Sequence, residues 1–221
     1  KVSRSARTGN KEAQKELELL LKLKNGLEKS INVRGLDFTQ EERMEFIKPL
    51  QLITDKPVLY VCNVSESDAL NGNSYVDSVR DSISNESAEI LFLAVSIEAD
   101  INELDSFEER EMSLTDIGLN EPGASKLIRS TYSLLNLQTY FTAGEKEVRA
   151  WTIPAGASAP QAAGVIHTDF EKGFIRAEVI SIDDLLSLGS ELKVKEAGKI
   201  RVEGKDYILK EGDVLHFRFN V

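Results

Sequence analysis

A single cysteine in a chain of 221 residues leaves no basis for an intrachain disulfide framework or a cysteine metal cluster. That cysteine, Cys62, lies inside the apolar run Val58-Leu59-Tyr60-Val61-Cys62 and reads as a buried structural thiol. No apolar run approaches the roughly 20 residues needed to cross a bilayer, and Lys1-Val2-Ser3-Arg4 lacks the apolar segment of a signal peptide. The sequence therefore reads as cytoplasmic, with no membrane partner. Positive charge is also short: a formal net charge of -10 argues against a uniformly basic nucleic-acid binder. Histidine is scarce, with two in the chain. His167 stands beside Asp169 but has no nucleophile or metal partner at suitable spacing, and His216, between Leu215 and Phe217, reads as an outward-facing strand residue. A phosphate-binding G-x-x-x-x-G-K-[ST] loop is missing as well.

Enough apolar residues are present, at 41%, to bury a real core of one or two domains. Charge is unevenly placed. Residues 1–36 carry nine Lys and Arg against four Asp and Glu, whereas residues 37–136 carry seven against twenty. A basic arm on an acidic body can meet a phosphate backbone locally through Lys11, Lys15, Lys22 and Lys24, or it can be a solvated helix face. The chain begins at Lys1 and enters a charged helix with no preceding cap, from which an upstream region is expected.

Ala13, Leu17, Leu20, Leu21, Leu27 and Ile31 recur near the helical period and predict a long amphipathic helix over 10–31. Thr39 and Glu42 form a capping box ahead of a second helix through Met44, Phe46 and Ile47, kinked at Pro49. The pair reads as an antiparallel helical hairpin. From Lys56-Pro57 the character changes. Val58–Cys62 reads as a strand buried on both faces, Ser74–Ser84 as a helix with Tyr75, Val79 and Ile83 on one side, and Ile90–Val95 as a second strand. Strand, helix, strand is a βαβ unit of a doubly wound sheet, whose other strands are expected upstream. An acidic helix near Glu103–Leu114 and another over Ala124–Leu137 follow. The last third alternates strands (Gln138–Thr142, Val148–Ile153, Phe174–Ile180, Tyr207–Leu209, Val214–Phe219) with helices at Ala159–Val165 and Ile182–Leu188, an α+β order.

In an open α/β sheet, ligands bind beyond the carboxyl ends of the strands. Asn63-Val64-Ser65-Glu66 follows the first strand, and Ser96-Ile97-Glu98 follows the second. In Ras-like nucleotide folds an Asn-x-x-Asp loop at this place reads guanine, its carboxylate accepting the ring N–H and exocyclic amine together. Here the acid is Glu66, whose extra methylene displaces the carboxylate, so guanine preference is weakened. Asn63 can donate to a purine nitrogen or brace neighbouring loops, Val64 can offer its backbone, and Ser96 and Ile97 can supply N–H groups at a helix start. A polar turn is the alternative. Trp151 reads as core, or as an exposed ring beside Arg149 able to stack on a nucleobase.

Three stretches carry a more specific likeness: Leu135-Asn136-Leu137-Gln138-Thr139-Tyr140-Phe141-Thr142-Ala143-Gly144, Glu147-Val148-Arg149-Ala150-Trp151-Thr152-Ile153, and Ile166-His167-Thr168-Asp169-Phe170-Glu171-Lys172-Gly173-Phe174-Ile175-Arg176-Ala177. With the Asn63–Glu66 loop, the serine loop at Ser96 and Gly118-Leu119-Asn120-Glu121-Pro122-Gly123, they resemble the YchF-type Obg-like P-loop ATPases over essentially the whole chain. The resemblance implies an α/β plus α+β chain: part of a coiled-coil helical arm (1–54), the C-terminal part of a doubly wound Ras-like nucleotide-binding domain (55–136), and a ubiquitin-like β-grasp TGS domain (137–221). It implies a hydrolase that binds ATP, and GTP weakly, through Asn63, Val64, Ser65, Glu66, Ser96, Ile97 and Glu98, with Mg²⁺ as cofactor. Its implied partners are the ribosome, the large subunit foremost, or RNA, with Lys11, Lys15, Lys22, Lys24 and Arg149 as candidate contacts. The phosphate loop, switch regions and catalytic histidine of that family have no counterpart in these 221 residues, which alone are expected to be inactive. The rival reading is a non-catalytic ribosome- or RNA-binding protein acting through arm and TGS domain.

Overall fold

A computed structural model describes residues 2–7, 9–86, 88–144 and 147–220. Lys1 and Val221, the outer ends of the expected arm and TGS domain, lie outside the described residues. The chain divides into two compact units between Thr131 and Tyr132.

The first unit opens with α1 (Val2–Arg7) and α2 (Lys11–Glu28), the latter capped by the Asn10 side chain on the Ala13 amide. Its buried positions are Ala13, Leu19, Leu23 and Gly26, while Leu21, Leu27 and Ile31 are exposed. The helix is thus rotated from the apolar stripe expected of it, because Leu19 and Leu23 are the residues that meet Val33, Phe38 and Ile47 in one cluster. The Thr39–Glu42 capping box forms and starts α3 (Gln40–Glu42). The second helix does not run on past a kink at Pro49. It widens to π geometry over Arg43–Ile47, tightens to a 3-10 turn over Lys48–Leu50, and stops at Gln51 with φ 50°. Pro49 has no N–H to continue an α-helical ladder, so the register changes ahead of it.

Two parallel strands follow, β1 (Leu59–Asn63) and β2 (Glu89–Leu93), paired from Leu59↔Glu89 to Asn63↔Leu93. Between them lies α4 (Ser74–Ser82), capped by Asn73. β1 is not buried on both faces, since Val61 is 47% exposed: a two-stranded sheet leaves part of its apolar surface open. In α4 the core position is Val76, not Tyr75, which is 80% exposed. Three helices complete this part: α5 (Val95–Asn102), α6 (Phe107–Asp116) and α7 (Gly123–Leu134), which crosses the boundary between units. The acidic helix therefore starts at Phe107 rather than near Glu103, because Ser106 and Glu109 form a capping box there.

Among the described residues the second unit holds five strands: β3 (Leu137–Ala143), β4 (Val148–Pro154), β5 (Phe174–Ser181), β6 (Arg201–Glu203) and β7 (Asp213–Phe219). Their order is β4-β3-β7-β5-β6, with β3 parallel to β7 and the other pairs antiparallel. Helices α8 (Ala159–Ile166) and α9 (Thr168–Lys172) join β4 to β5, and α10 (Ile182–Leu188) and α11 (Glu191–Glu196) join β5 to β6. One core gathers Tyr140, Ile153, Ala162, Val179 and Leu215, and a second gathers Ile180, Val194 and Val214 with Leu185 and Leu188. Tyr207–Leu209 is not a strand; it makes one bridge, Ser158↔Ile208.

Candidate nucleotide-binding site

Asn63 ends β1 and is exposed, and its Oδ1 accepts the Val95 N–H at 3.3 Å across the carboxyl edge of the sheet. Val95 is the first residue of α5, whose N-cap residue, Ala94, offers no side-chain cap. Asn63 thus takes the place of a capping residue from the neighbouring strand. The first intrahelical bond runs from the Glu98 N–H to the Ala94 carbonyl, which leaves the Ser96 and Ile97 amides without an acceptor in the helix. Two free amides and a helix dipole therefore point past the sheet edge beside Asn63.

The next residues are not equally available. The Val64 N–H donates to the Leu93 carbonyl at 2.9 Å, extending the ladder one residue, so its backbone can offer an incoming base its carbonyl but not its N–H. The Ser65 hydroxyl lies 2.9 Å from that of Ser67 and donates to Asp68 at 2.8 Å. Glu66 opens a 3-10 turn, is exposed, and makes no side-chain hydrogen bond or ion pair among the described residues. Its carboxylate is the free acid of the loop.

Of the expected α5 contacts, Ile97 keeps its amide available and Glu98 is already engaged. Ile97 packs its side chain with Ile101, Leu114 and Leu119, so only its amide faces the edge. Glu98 is turned to the other side of α5, where Oε2 accepts the N–H of Gly123 at the start of α7. A cleft of about 220 Å³ lies there, walled by Glu98, Phe107 and Arg110. Neither Asn63 nor Glu66 lines it.

Asp68 and Asn73 were not singled out by the sequence. Asp68 accepts from the Asn73 amide at 2.8 Å and from Ser65, and these bonds hold its carboxyl below the ordinary carboxylate range, Asn73 contributing most. The signal was there in Asn73 as the cap of α4, two residues before Tyr75.

The candidate RNA contacts are partly spent inside the units. Lys15 pairs with Glu42 at 3.8 Å, Lys22 donates to the Asp37 carbonyl and sits 4.9 Å from the Phe38 ring, and Lys24 pairs with Glu28. Lys11 is exposed at the start of α2. Arg149 covers the Trp151 ring at 4.1 Å, and Trp151 donates to the Thr142 hydroxyl at 2.9 Å, so one ring face is already stacked. His167 accepts the Asp169 amide on Nδ1, a capping role, and His216 lies 3.1 Å from Glu191. No three His, Cys, Asp or Glu among the described residues gather as a metal shell, and no helix among them is long and apolar enough to cross a membrane.

A family model described as YchF-GTPase_C, protein of unknown function (DUF933), matches residues 137–220. The chain is 52% identical over 221 residues to a protein of Escherichia coli O157:H7 named "Ribosome-binding ATPase YchF" and 48% identical over 223 residues to one of the same name in Bacillus subtilis (strain 168). Both matches take in all of this chain, which spans 60% of the length of these curated relatives. Among solved structures, that titled "Structure of the Schizosaccharomyces pombe YchF GTPase" superposes with a TM-score of 0.80 at 35% identity, over 94% of this chain and 55% of that one. A GTP binding protein from Pyrococcus horikoshii OT3, 15% identical with a TM-score of 0.52, shares the fold alone.

Proposed function

Because the chain belongs to the YchF family, we propose that it supplies the base-reading part of a nucleotide site in a cytoplasmic, ribosome-associated ATPase. The observation that carries this is the sheet edge: Asn63 bound to the first amide of α5, two free amides beside it, and the unpaired Glu66 carboxylate in the same loop. A purine can be held there with its ring nitrogens toward the Asn63 amide and the α5 amides. Glu66 sets the preference: its extra methylene displaces the carboxylate from guanine's paired donors, so guanine loses the advantage that a shorter acid would give it over adenine. Relatives bear both "ATPase" and "GTPase" in their names, so base preference is the point to test.

Among the described residues no three His, Cys, Asp or Glu gather as a cradle for Mg²⁺. A metal used in hydrolysis would be held with the phosphates, by a part of the protein that these residues do not provide. Residues 1–54 are read as part of the coiled-coil arm and 55–136 as nucleotide-binding domain. For 137–221, the β4-β3-β7-β5-β6 order with parallel outer-chain strands β3 and β7 supports a β-grasp TGS reading. The ribosome, as named for the relatives, is the partner proposed for arm and TGS domain. Lys11 is the arm lysine to test first, because Lys15, Lys22 and Lys24 have internal partners.

The experiment is Mg²⁺-dependent ATP hydrolysis by protein of the relatives' full length. Hydrolysis lost on Asn63→Ala in a folded protein is expected. A folded full-length protein that neither binds nor hydrolyses ATP would leave the non-catalytic ribosome-binding reading in its place.

A further inference from the structure

The free amides of Ser96 and Ile97 serve as base contacts only if the first turn of α5 is held where it stands. Asn63 holds the turn from the front. Behind it, Glu98 reaches the backbone of Gly123, 25 residues away in sequence. Glu98 is partly buried, and its carboxylate sits at the start of a twelve-residue helix, where unpaired amides and the helix dipole favour an anion. The approach is close. A Cβ built on Gly123 would stand 2.6 Å from Leu93 Cδ2 and 2.7 Å from Glu98 Oε2, so a residue larger than glycine must push aside the tip of the Leu93 side chain and the Glu98 carboxylate. Leu93, in turn, is 8% exposed and is the residue whose carbonyl takes the Val64 N–H. One glutamate and one glycine therefore join the first turn of α5 to the start of α7 beside Leu93, the last residue of β2, whose carbonyl holds the Val64 N–H of the loop.

Resting on the nucleotide reading above, we infer that Glu98 is a positioning residue of the base site. It touches no ligand; it fixes the direction of the Ser96 and Ile97 amides through Gly123. The bond needs an acceptor more than a charge, so Gln at this position keeps it and Ala loses it. Gly123→Ala acts at the other end of the same tie.

The test uses full-length protein as wild type, Glu98→Gln, Glu98→Ala and Gly123→Ala, with two readouts. The first is the amide NMR signals of Ser96 and Ile97 without nucleotide; the second is KM and kcat for ATP. Expected are displaced amide signals and a KM raised about tenfold with kcat within about twofold for Glu98→Ala and Gly123→Ala, since misplaced contacts weaken binding of the base. Glu98→Gln should restore both readouts to near wild type, which a loss of general stability would not explain. Unmoved amide signals in Glu98→Ala overturn the inference, as does an unchanged KM while the wild type binds ATP. A wild type that binds no nucleotide overturns the nucleotide reading itself and takes this inference with it.

Discussion

In the second unit Tyr140, Ile153, Val179 and Leu215 are each no more than 1% exposed, whereas in the first Val61 of β1 is 47% exposed and Tyr75 of α4 is 80% exposed. Five strands covered by α8 on one side and by α10 and α11 on the other close a core within the unit. Two strands cannot do the same: the apolar clusters of the first unit, around Val33 and Ile47 and around Ile101 and Leu114, are built from helices and turns, and polar ties join its pieces to the strands. Glu86 shows the pattern: it accepts from Asn32 at 3.1 Å, from Arg34 Nη2 at 2.6 Å and from Tyr60 at 3.2 Å, tying the turn after α2 to the strand that ends in Asn63. Arg43 with Asp55, and Glu98 with Gly123, are further examples. A site on apolar packing alone would be set by shape; this one is set by hydrogen bonds accepted by the Asn63 side-chain oxygen, the Leu93 carbonyl and the Glu98 carboxylate, and is correspondingly sensitive to their loss.

That contrast can be broken most directly by truncating the core. Ile153→Ala or Leu215→Ala should cost about 3 kcal/mol in the second unit, because a cavity is left where nothing else can move in. Val61→Ala should cost less than about 0.5 kcal/mol. Denaturant unfolding followed by Trp151, the chain's one tryptophan, reads the second unit. Equal losses at Ile153 and Val61 would erase the distinction.

The second unit has a buried polar hub of its own, which sharpens the comparison. Asp213, 3% exposed, accepts from the Tyr207 hydroxyl at 2.7 Å, the Lys210 amide at 2.9 Å and Arg201 at 3.3 Å. Asp213→Asn should cost about 2 kcal/mol, since an amide nitrogen would face donors. Burial foremost, with the Asp213 bond behind it, pushes the Tyr207 phenol up to about 12. A folded value above the ordinary one of about 10 means the contact stabilises fully below that pH and is lost as pH rises through about 12. Tyrosine absorbance that titrates entirely near pH 10 in folded protein would contradict this.

A smaller effect is expected in acid. The Arg34 hydrogen bond, ahead of the Tyr60 and Asn32 bonds, holds the Glu86 carboxyl below the ordinary range. A depressed value means that Glu86 stabilises above the ordinary carboxyl value of about 4.3 and stops doing so as pH falls through its lower folded value. Protection of β1 amides relative to their intrinsic exchange rates should fall over that window in wild type and lose that pH dependence in Glu86→Gln. Smallest of all, Lys24→Gln removes an exposed pair with Glu28 and should change stability by less than about 0.5 kcal/mol.

Much of this could be read from residues alone where the signal is local. The β-branched runs placed β1, β3, β4, β5 and β7 to within a residue or so, and the Thr39 capping box and the Ile182–Leu188 helix stand where the pattern put them. What failed depended on partners distant in sequence. Leu19 and Leu23 are buried instead of Leu21 and Leu27 because Val33, Phe38 and Ile47 choose the face of α2. β6, at three residues, is too short to show a period, and α11 begins at a cap, Ser190, with no apolar repeat long enough to announce it. In the site, Asn63 and the α5 start were legible from their place after the two strands. Glu98 was named there as a nucleotide contact, but its bond to the Gly123 amide was not legible, because that partner is a backbone group on another helix, which no residue type reveals.

The most direct test of the base-reading account is titration of ATP and of GTP into full-length protein, wild type and Glu66→Asp. The account predicts tighter ATP binding in the wild type and a ratio moved about tenfold toward GTP in the variant, because the shorter acid can meet both guanine donors. A ratio that does not move in a folded variant would contradict the assignment of Glu66 as the group that sets base preference.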